Sequence, residues 1–259
     1  GKAFTLECNA LPAMAQMWRT GLPWNKESLE QCLIDYEDDA KEMGKEFIRE
    51  LDNALPEDQK LPRDEDGVFN LRAKDEGSIR LGTKKYKGFN IKSSKQLLEK
   101  LEILLKYSPT DSKGKKSVSR EALRKCAADS EAIQTLMNWK KTEKRRQMLA
   151  SIQEKMADDG FVRASYMQLG ADTGRMSSIK PNNQQIPRDS EFRQCVEAPE
   201  GWLIVDADFS QMELRLAAAL ANDKNMIKAF KDGADLHDYT AEQMGCDRQI
   251  AKSANFGLL

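Results

Sequence analysis

Apolar residues recur at helical spacing over residues 11–50, opposite a polar, acidic face, and an Asn25-x-x-Ser28 cap follows Pro23. This predicts one or two scaffold helices. The period fails over residues 56–88, where Asp, Glu, Lys, Gly and Pro dominate. A long surface insertion with a short hairpin and no chemistry of its own is expected there. Phe89-Asn90-Ile91 is a short extended piece, and Ser93 or Ser94 caps a helix through Leu97, Leu98, Leu101, Leu104 and Leu105. A polar, basic tip over 110–119 leads to a predicted helix over 120–128. A second helix, over 131–158, places Ile133, Leu136, Met137, Met148, Leu149 and Ile152 on its apolar side.

Residues 161–168 alternate like a strand. A Gly/Ser/Thr-rich stretch over 170–178 follows, with Arg175 at its centre, then a polar loop over 181–188 holding the amides Asn182, Asn183, Gln184 and Gln185. The apolar run Leu203-Ile204-Val205 leads into Asp206 and Asp208, whose i, i+2 spacing puts both carboxylates on one face of a predicted strand. Gln211, Leu214, Arg215 and Ala218 then recur at helical spacing. Strand, acidic tip and helix together suit a divalent ion on oxygen ligands. Short helices close the chain: Asn222-Asp223 caps one over 225–231, Gly233 breaks it, and residues 235–244 carry the single histidine, His237. Arg248, Lys252 and Phe256 stand at i, i+4 and i+8, within an arc of about 80° on one helix face.

Composition narrows the classes. The 259 residues suffice for one large domain or two small ones, and no apolar run approaches the roughly 20 residues of a membrane span. A soluble protein is expected. Five scattered cysteines (Cys8, Cys32, Cys126, Cys195, Cys246) without a C-x-x-C pair point to a reduced, intracellular chain with no zinc site. The absence of a starting Met and of a signal pattern, and the stop at Leu259 without a cap, are those of a fragment cut at both ends. The net charge of −1 conceals an uneven distribution: −8 over 1–79, +13 over 80–188 and −6 over 189–259. A basic middle beside an acidic end fits a polyanion-binding segment next to a metal-binding one. Well-solvated Lys-rich helices give the same pattern, and the cluster Lys140, Lys141, Lys144, Arg145 and Arg146 admits both readings. His237 is open between a structural and a catalytic part. The aligned Arg248, Lys252 and Phe256 suit a triphosphate and a stacked base, although basic i, i+4 pairs are common.

In this order the stretches resemble the A-family DNA polymerases. Residues 208–215 (DFSQMELR) look like that family's first palm motif. Thr173-Gly174-Arg175-Met176-Ser177-Ser178 with residues 181–187 looks like its primer-template loop. Residues 248–257 look like the start of its nucleotide-binding fingers helix, and residues 89–97 are similar to the lead-in to the thumb. The match extends more weakly back to about Leu11. The implied fold class is α+β, mostly helical: a partial right-hand polymerase fold with a scaffold and insertion (1–88), thumb (89–157), part of the palm (158–221) and the start of the fingers (222–259).

The resemblance implies catalytic parts for Asp208 and Lys252, and two Mg2+ ions held by Asp208 and the Phe209 carbonyl. It implies nucleotide contacts from Gln211, Glu213, His237, Arg248, Lys252 and Phe256, with Glu213 closing the space of a ribose 2′-hydroxyl. Lys140, Lys144, Arg146, Thr173, Arg175, Asn182, Gln184 and Arg215 would meet primer-template DNA. Asp206 is at most an auxiliary acid. The implied substrates are deoxynucleoside triphosphates, the setting is DNA replication with possible accessory proteins, and no membrane is involved. The chain stops before the family's next fingers Tyr and before the later palm motif with the second metal-binding carboxylate, so no primer extension is expected of the isolated chain. Gly170-Ala171-Asp172-Thr173 looks closer to phage versions of the loop, and the implied location is cytoplasmic, that of the host if the source is viral. Single-subunit RNA polymerases share the palm, but Glu213 and Gln184-Gln185 argue against them. A noncatalytic duplex-binding module is the alternative from a different class.

Overall fold

Two helices open the chain where one or two were expected: α1 (Lys2–Thr20) and, after the two-residue strand β1 (Leu22–Pro23), α2 (Lys26–Ala54). Gly21 separates them at φ 74°, and a Cβ there would stand 2.9 Å from the Val162 carbonyl oxygen, so the close approach requires glycine. The Asn25 side chain starts α2 by accepting from the Ser28 amide at 2.9 Å. The computed structural model describes residues 1–71 and 88–257. They fall into two compact units, 1–203 and 204–259.

In the first unit α2 packs along α5 (Glu131–Lys155), with α3 (Ser94–Leu105) and α4 (Arg120–Lys125) between them in the chain. Ser93 caps α3 through the Gln96 amide, and Ser119 caps α4 through the Ala122 amide. One core joins Phe47, Leu51, Leu97, Leu101, Leu123, Ile133 and Leu136; another joins Trp24, Leu29, Tyr36, Leu149, Ile152, Val162 and Phe192. Each large side chain sealed there contributes about 1.5–3 kcal/mol of transfer free energy. The expected boundaries at 88 and 157 fall inside this unit.

α4 ends at Lys125 and α5 at Lys155, short of the expected 128 and 158. Past α5 the chain turns at Gly160 (φ 77°) so that β2 (Phe161–Val162) pairs antiparallel with β1. The alternation over 161–168 therefore yields two short strands, β2 and β3 (Ser165–Met167), and β3 pairs antiparallel with β4 (Ser177–Ile179). α6 (Ser190–Gln194) brings Phe192 edge-on to Trp24 and Tyr36. Of the predicted insertion, residues 72–87 lie outside the described residues. Its first part is tied down by Asp52, 1% exposed, which accepts from the Leu61 amide at 2.7 Å and from Arg63 Nη2 at 2.6 Å. A tight turn carries the antiparallel Arg63–Phe69 bridge, and Leu71 bridges Phe89.

The second unit corrects the expected strand before Asp208. Residues 204–209 form no strand, and Ile204 (51%) and Val205 (84%) are exposed. An apolar run becomes a strand only when a neighbour pairs its amides and carbonyls, and no described residue does so here. The helices follow expectation: α7 (Met212–Leu220), α8 (Lys224–Lys231) capped by Asp223, α9 (Leu236–Met244) capped by Asp235, and α10 (Arg248–Gly257). Among the described residues no helix is long and apolar enough to cross a membrane.

Candidate nucleic-acid and nucleotide sites

In the first unit a groove of about 860 Å³ runs beside α5. Lys92, Arg120, Lys140, Lys141, Lys144 and Arg145 line it, together with Gln185 and Pro187 from the amide-rich loop. Lys140, Lys141, Lys144 and Arg145 follow one another along the middle of α5 and border the groove, while Leu136, Leu149 and Ile152 of the same helix are buried in the two cores. Lys141 and Lys144 are exposed, whereas Lys140 is half-buried and burial pushes its ammonium below the ordinary lysine value. Among the described residues Arg120, Lys140, Lys141 and Lys144 have no ion-pair partner.

The groove also holds one acid, Glu143, which sequence reasoning missed. Its side chain is 9% exposed. It receives Lys92 Nζ at 2.7 Å, Arg146 Nε and Nη2 at 2.8 and 3.1 Å, and Gln147 Nε2 at 2.9 Å. Burial alone would raise this carboxyl, but these donors outweigh it and hold the pKa at about 2. Arg146, expected at the duplex, is thus forked onto Glu143, and Arg145 pairs with Asp189. The i, i+3 spacing of Glu143 and Arg146 was the available signal.

Of the other expected DNA contacts, Thr173, Arg175, Asn182 and Gln184 belong to the first unit but are not in this groove's lining, and Arg215 belongs to the second unit. Thr173 and Arg175 are exposed in the β3–β4 connection. Asn182 accepts from the Gln184 amide at 3.1 Å and starts the turn Asn183–Gln185, which leaves the Gln184 side chain exposed.

In the second unit Asp206, Asp208 and Phe209 are exposed. Gln211, at φ 51°, turns the chain into α7 and accepts from the Leu236 amide at 3.1 Å. Arg215 donates to the Ser210 carbonyl at 2.8 Å and lies over the Phe230 ring at 4.4 Å. The turn after Asp208 is therefore fixed to α7, α8 and the start of α9. Glu213 is exposed on the first turn of α7. Asp208 and the adjoining carbonyls are hard oxygen donors of the kind Mg2+ takes. Among the described residues no three His, Cys, Asp or Glu side chains cluster.

α9 and α10 pack together. Asp247 starts α10 by accepting from the Gln249 and Ile250 amides at 2.7 and 3.0 Å. Arg248 pairs with Asp235 at 2.6 Å and Asp238 at 2.8 Å. Burial would raise the Asp235 carboxyl, but Arg248 and the His237 and Asp238 amides pull it below its usual value. Lys252 is half-buried, with no ion-pair partner among the described residues. His237 is 2% exposed; its Nδ1 faces Asn255 Nδ2 at 3.0 Å, and its ring centre lies 5.5 Å from that of Phe256. The structure thus brings His237, Arg248 and Phe256 onto the paired helices.

The family model for DNA polymerase family A matches residues 75–259. The chain belongs to this family. Among curated relatives, DNA polymerase I of Aquifex aeolicus is 39% identical over 177 residues, covering 64% of this chain and 30% of that protein. DNA polymerase I of Treponema pallidum is 28% identical over 274 residues, covering 98% of this chain and 24% of the relative. The chain thus spans about a quarter to a third of the length of these relatives. Among solved structures, the POL domain of Pol1 from M. smegmatis, in complex with DNA primer-template and dNTP, matches with a TM-score of 0.72 at 22% identity. That match covers 97% of this chain and 41% of the other. The fold is therefore that of part of a family A polymerase domain, as the motifs implied.

Proposed function

We propose that this chain is the thumb, part of the palm and the start of the fingers of a template-directed DNA polymerase, which adds deoxynucleotides to a primer 3′-hydroxyl during replication. The observation that carries the reading is the bond from the Leu236 amide to Gln211. It ties the Asp208 turn to the helix pair bearing Arg248, Lys252 and Phe256, so a metal-type acid and a row of phosphate and base contacts belong to one unit. Family membership supplies the reaction class.

In this reading Asp208 and the Phe209 carbonyl hold Mg2+, which when bound supplies activation of the primer hydroxyl and charge compensation on the triphosphate. Lys252 donates to the phosphates and to the charge that develops there. Arg248 adds the guanidinium hydrogens that Asp235 and Asp238 leave free, while His237, expected as a phosphate contact, is buried against Asn255 and Phe256 and supports α10 from behind. Gln211 and Phe256 border the nucleotide, and Glu213 fills the space of a 2′-hydroxyl. The unpaired cations Lys140 and Lys144 meet the duplex backbone, while Thr173, Arg175, Asn182, Gln184 and Arg215 approach the primer-template. In this reading DNA and triphosphates bind by charge and stacking, which the basic groove and α10 support.

The test is Asp208→Ala in the full-length protein. Primer extension should disappear while primer-template affinity stays within about twofold. Unchanged extension would refute the assignment, and preferential use of ribonucleotides by the unaltered protein would move it to RNA synthesis.

A further inference from the structure

The duplex-facing groove carries more cations than it offers. Lys92 reaches it from the lead-in to α3, Arg120 from α4, and Lys140, Lys141, Lys144 and Arg145 from α5, with Arg146 next to the lining on Glu143; of these seven, Lys92, Arg145 and Arg146 are already engaged by acids of the same chain. Two of the three converge on Glu143, the one acid in the lining. Arg146 gives it the two-pronged Nε and Nη2 contact that an arginine gives a phosphate, at 2.8 and 3.1 Å, and Lys92 completes the site at 2.7 Å. A nucleic-acid phosphate arriving here would have to displace a carboxylate of equal appetite for cations. It would then leave Glu143, 9% exposed, charged and uncompensated.

From this geometry we infer that Glu143 withholds Lys92 and Arg146 from the duplex backbone, so that Arg120, Lys140, Lys141 and Lys144 make the phosphate contacts of this face. The inference rests on the duplex-binding reading of the groove. Glu143 is then a positioning residue that sets how many counterions the protein releases on binding. It caps the sequence-independent part of the affinity and leaves the groove's outer lysines to slide between phosphates. Arg146 serves the fold of α5 rather than the ligand.

Counterion release makes the count measurable, because the slope of log affinity against log salt is about −0.9 per phosphate neutralised. The experiment is fluorescence anisotropy of a primer-template duplex with the 259-residue chain across a salt series, for the wild type, Glu143→Gln, Lys92→Met and the double variant. Helix content from circular dichroism confirms folding of each. Glu143→Gln should steepen the slope by about 1.8 units and tighten binding at low salt, as Lys92 and Arg146 are both released to the duplex. Lys92→Met should leave the wild-type slope unchanged, yet remove about 0.9 units from the Glu143→Gln slope. An unchanged or shallower slope in Glu143→Gln overturns the inference. So does a loss of about 0.9 units in Lys92→Met alone, which needs no change at the buried acid. If the wild-type chain shows no salt-dependent duplex binding at all, the duplex reading falls and this inference with it.

Discussion

Replacing Glu143 with Gln removes a charge from the interior while keeping an acceptor for Lys92 or Arg146, so the variant isolates what ionisation of this residue contributes to stability. The ordinary glutamate value of 4.5 falls to about 2 in the folded chain. At about 1.4 kcal/mol per tenfold change, that difference amounts to about 3 kcal/mol. Because the folded value is the depressed one, the stabilisation is fully present above pH 4.5 and is lost as the pH falls towards 2. Urea unfolding followed by circular dichroism at a series of pH values gives the measurement. The wild type should exceed Glu143→Gln by about 3 kcal/mol at neutral pH, and the gap should close through the acid range. A gap that stays constant from neutral pH down to pH 2 would refute the account, since shape and packing do not titrate. A gap below about 0.5 kcal/mol at neutral pH would place the ion pairs among the weak surface kind.

Two further outcomes test the scaffold and the helix pair. Phe192 is fully buried, with ring centres 6.2 Å from Trp24 and 6.5 Å from Tyr36; Phe192→Ala should cost about 3–5 kcal/mol in urea unfolding, and a loss under about 1 kcal/mol would show that α6 is not part of that core. Asn255 Nδ2 lies 3.0 Å from His237 Nδ1 and 3.4 Å from the Leu236 carbonyl, so the amide NH2 faces the ring and the neutral imidazole should carry its proton on Nε2. Because His237 is the single histidine, 15N NMR at alkaline pH reads it without ambiguity: Nδ1 should appear as a hydrogen-bonded acceptor that loses this signature in Asn255→Leu.

Local signals in the sequence were read well where the physics is local. Asn25 and Asp223 cap the helices they precede, Ser93 caps the leucine-rich α3, and Arg248, Lys252 and Phe256 do share one helix. What could not be read depends on distant segments. Lys92 meets Glu143 from some fifty residues away, and Arg145 meets Asp189 from the far side of the amide-rich loop, so a row of lysines and arginines gave no hint of which were already engaged. The apolar run before Asp208 failed as a strand for the same reason: alternation prepares a face, but only a partner completes a ladder. His237 was legible as a residue of interest but not as a buried one, because its neighbours Asn255 and Phe256 belong to the next helix.

The Leu71–Phe89 bridge, with the Phe89 amide on the Asn70 carbonyl at 2.9 Å, bears on what this part of the chain can accommodate. The chain leaves and rejoins the scaffold at touching points, and Asp52 has already fastened the approach through Leu61 and Arg63. Whatever is spliced between those points is closed off like an excursion on a zipped border. The core then feels its length only as ring-closure entropy, about 0.6 kcal/mol for each doubling. An engineer adding an affinity tag or reporter would therefore choose this point of the chain, where the two flanking ends are already held together.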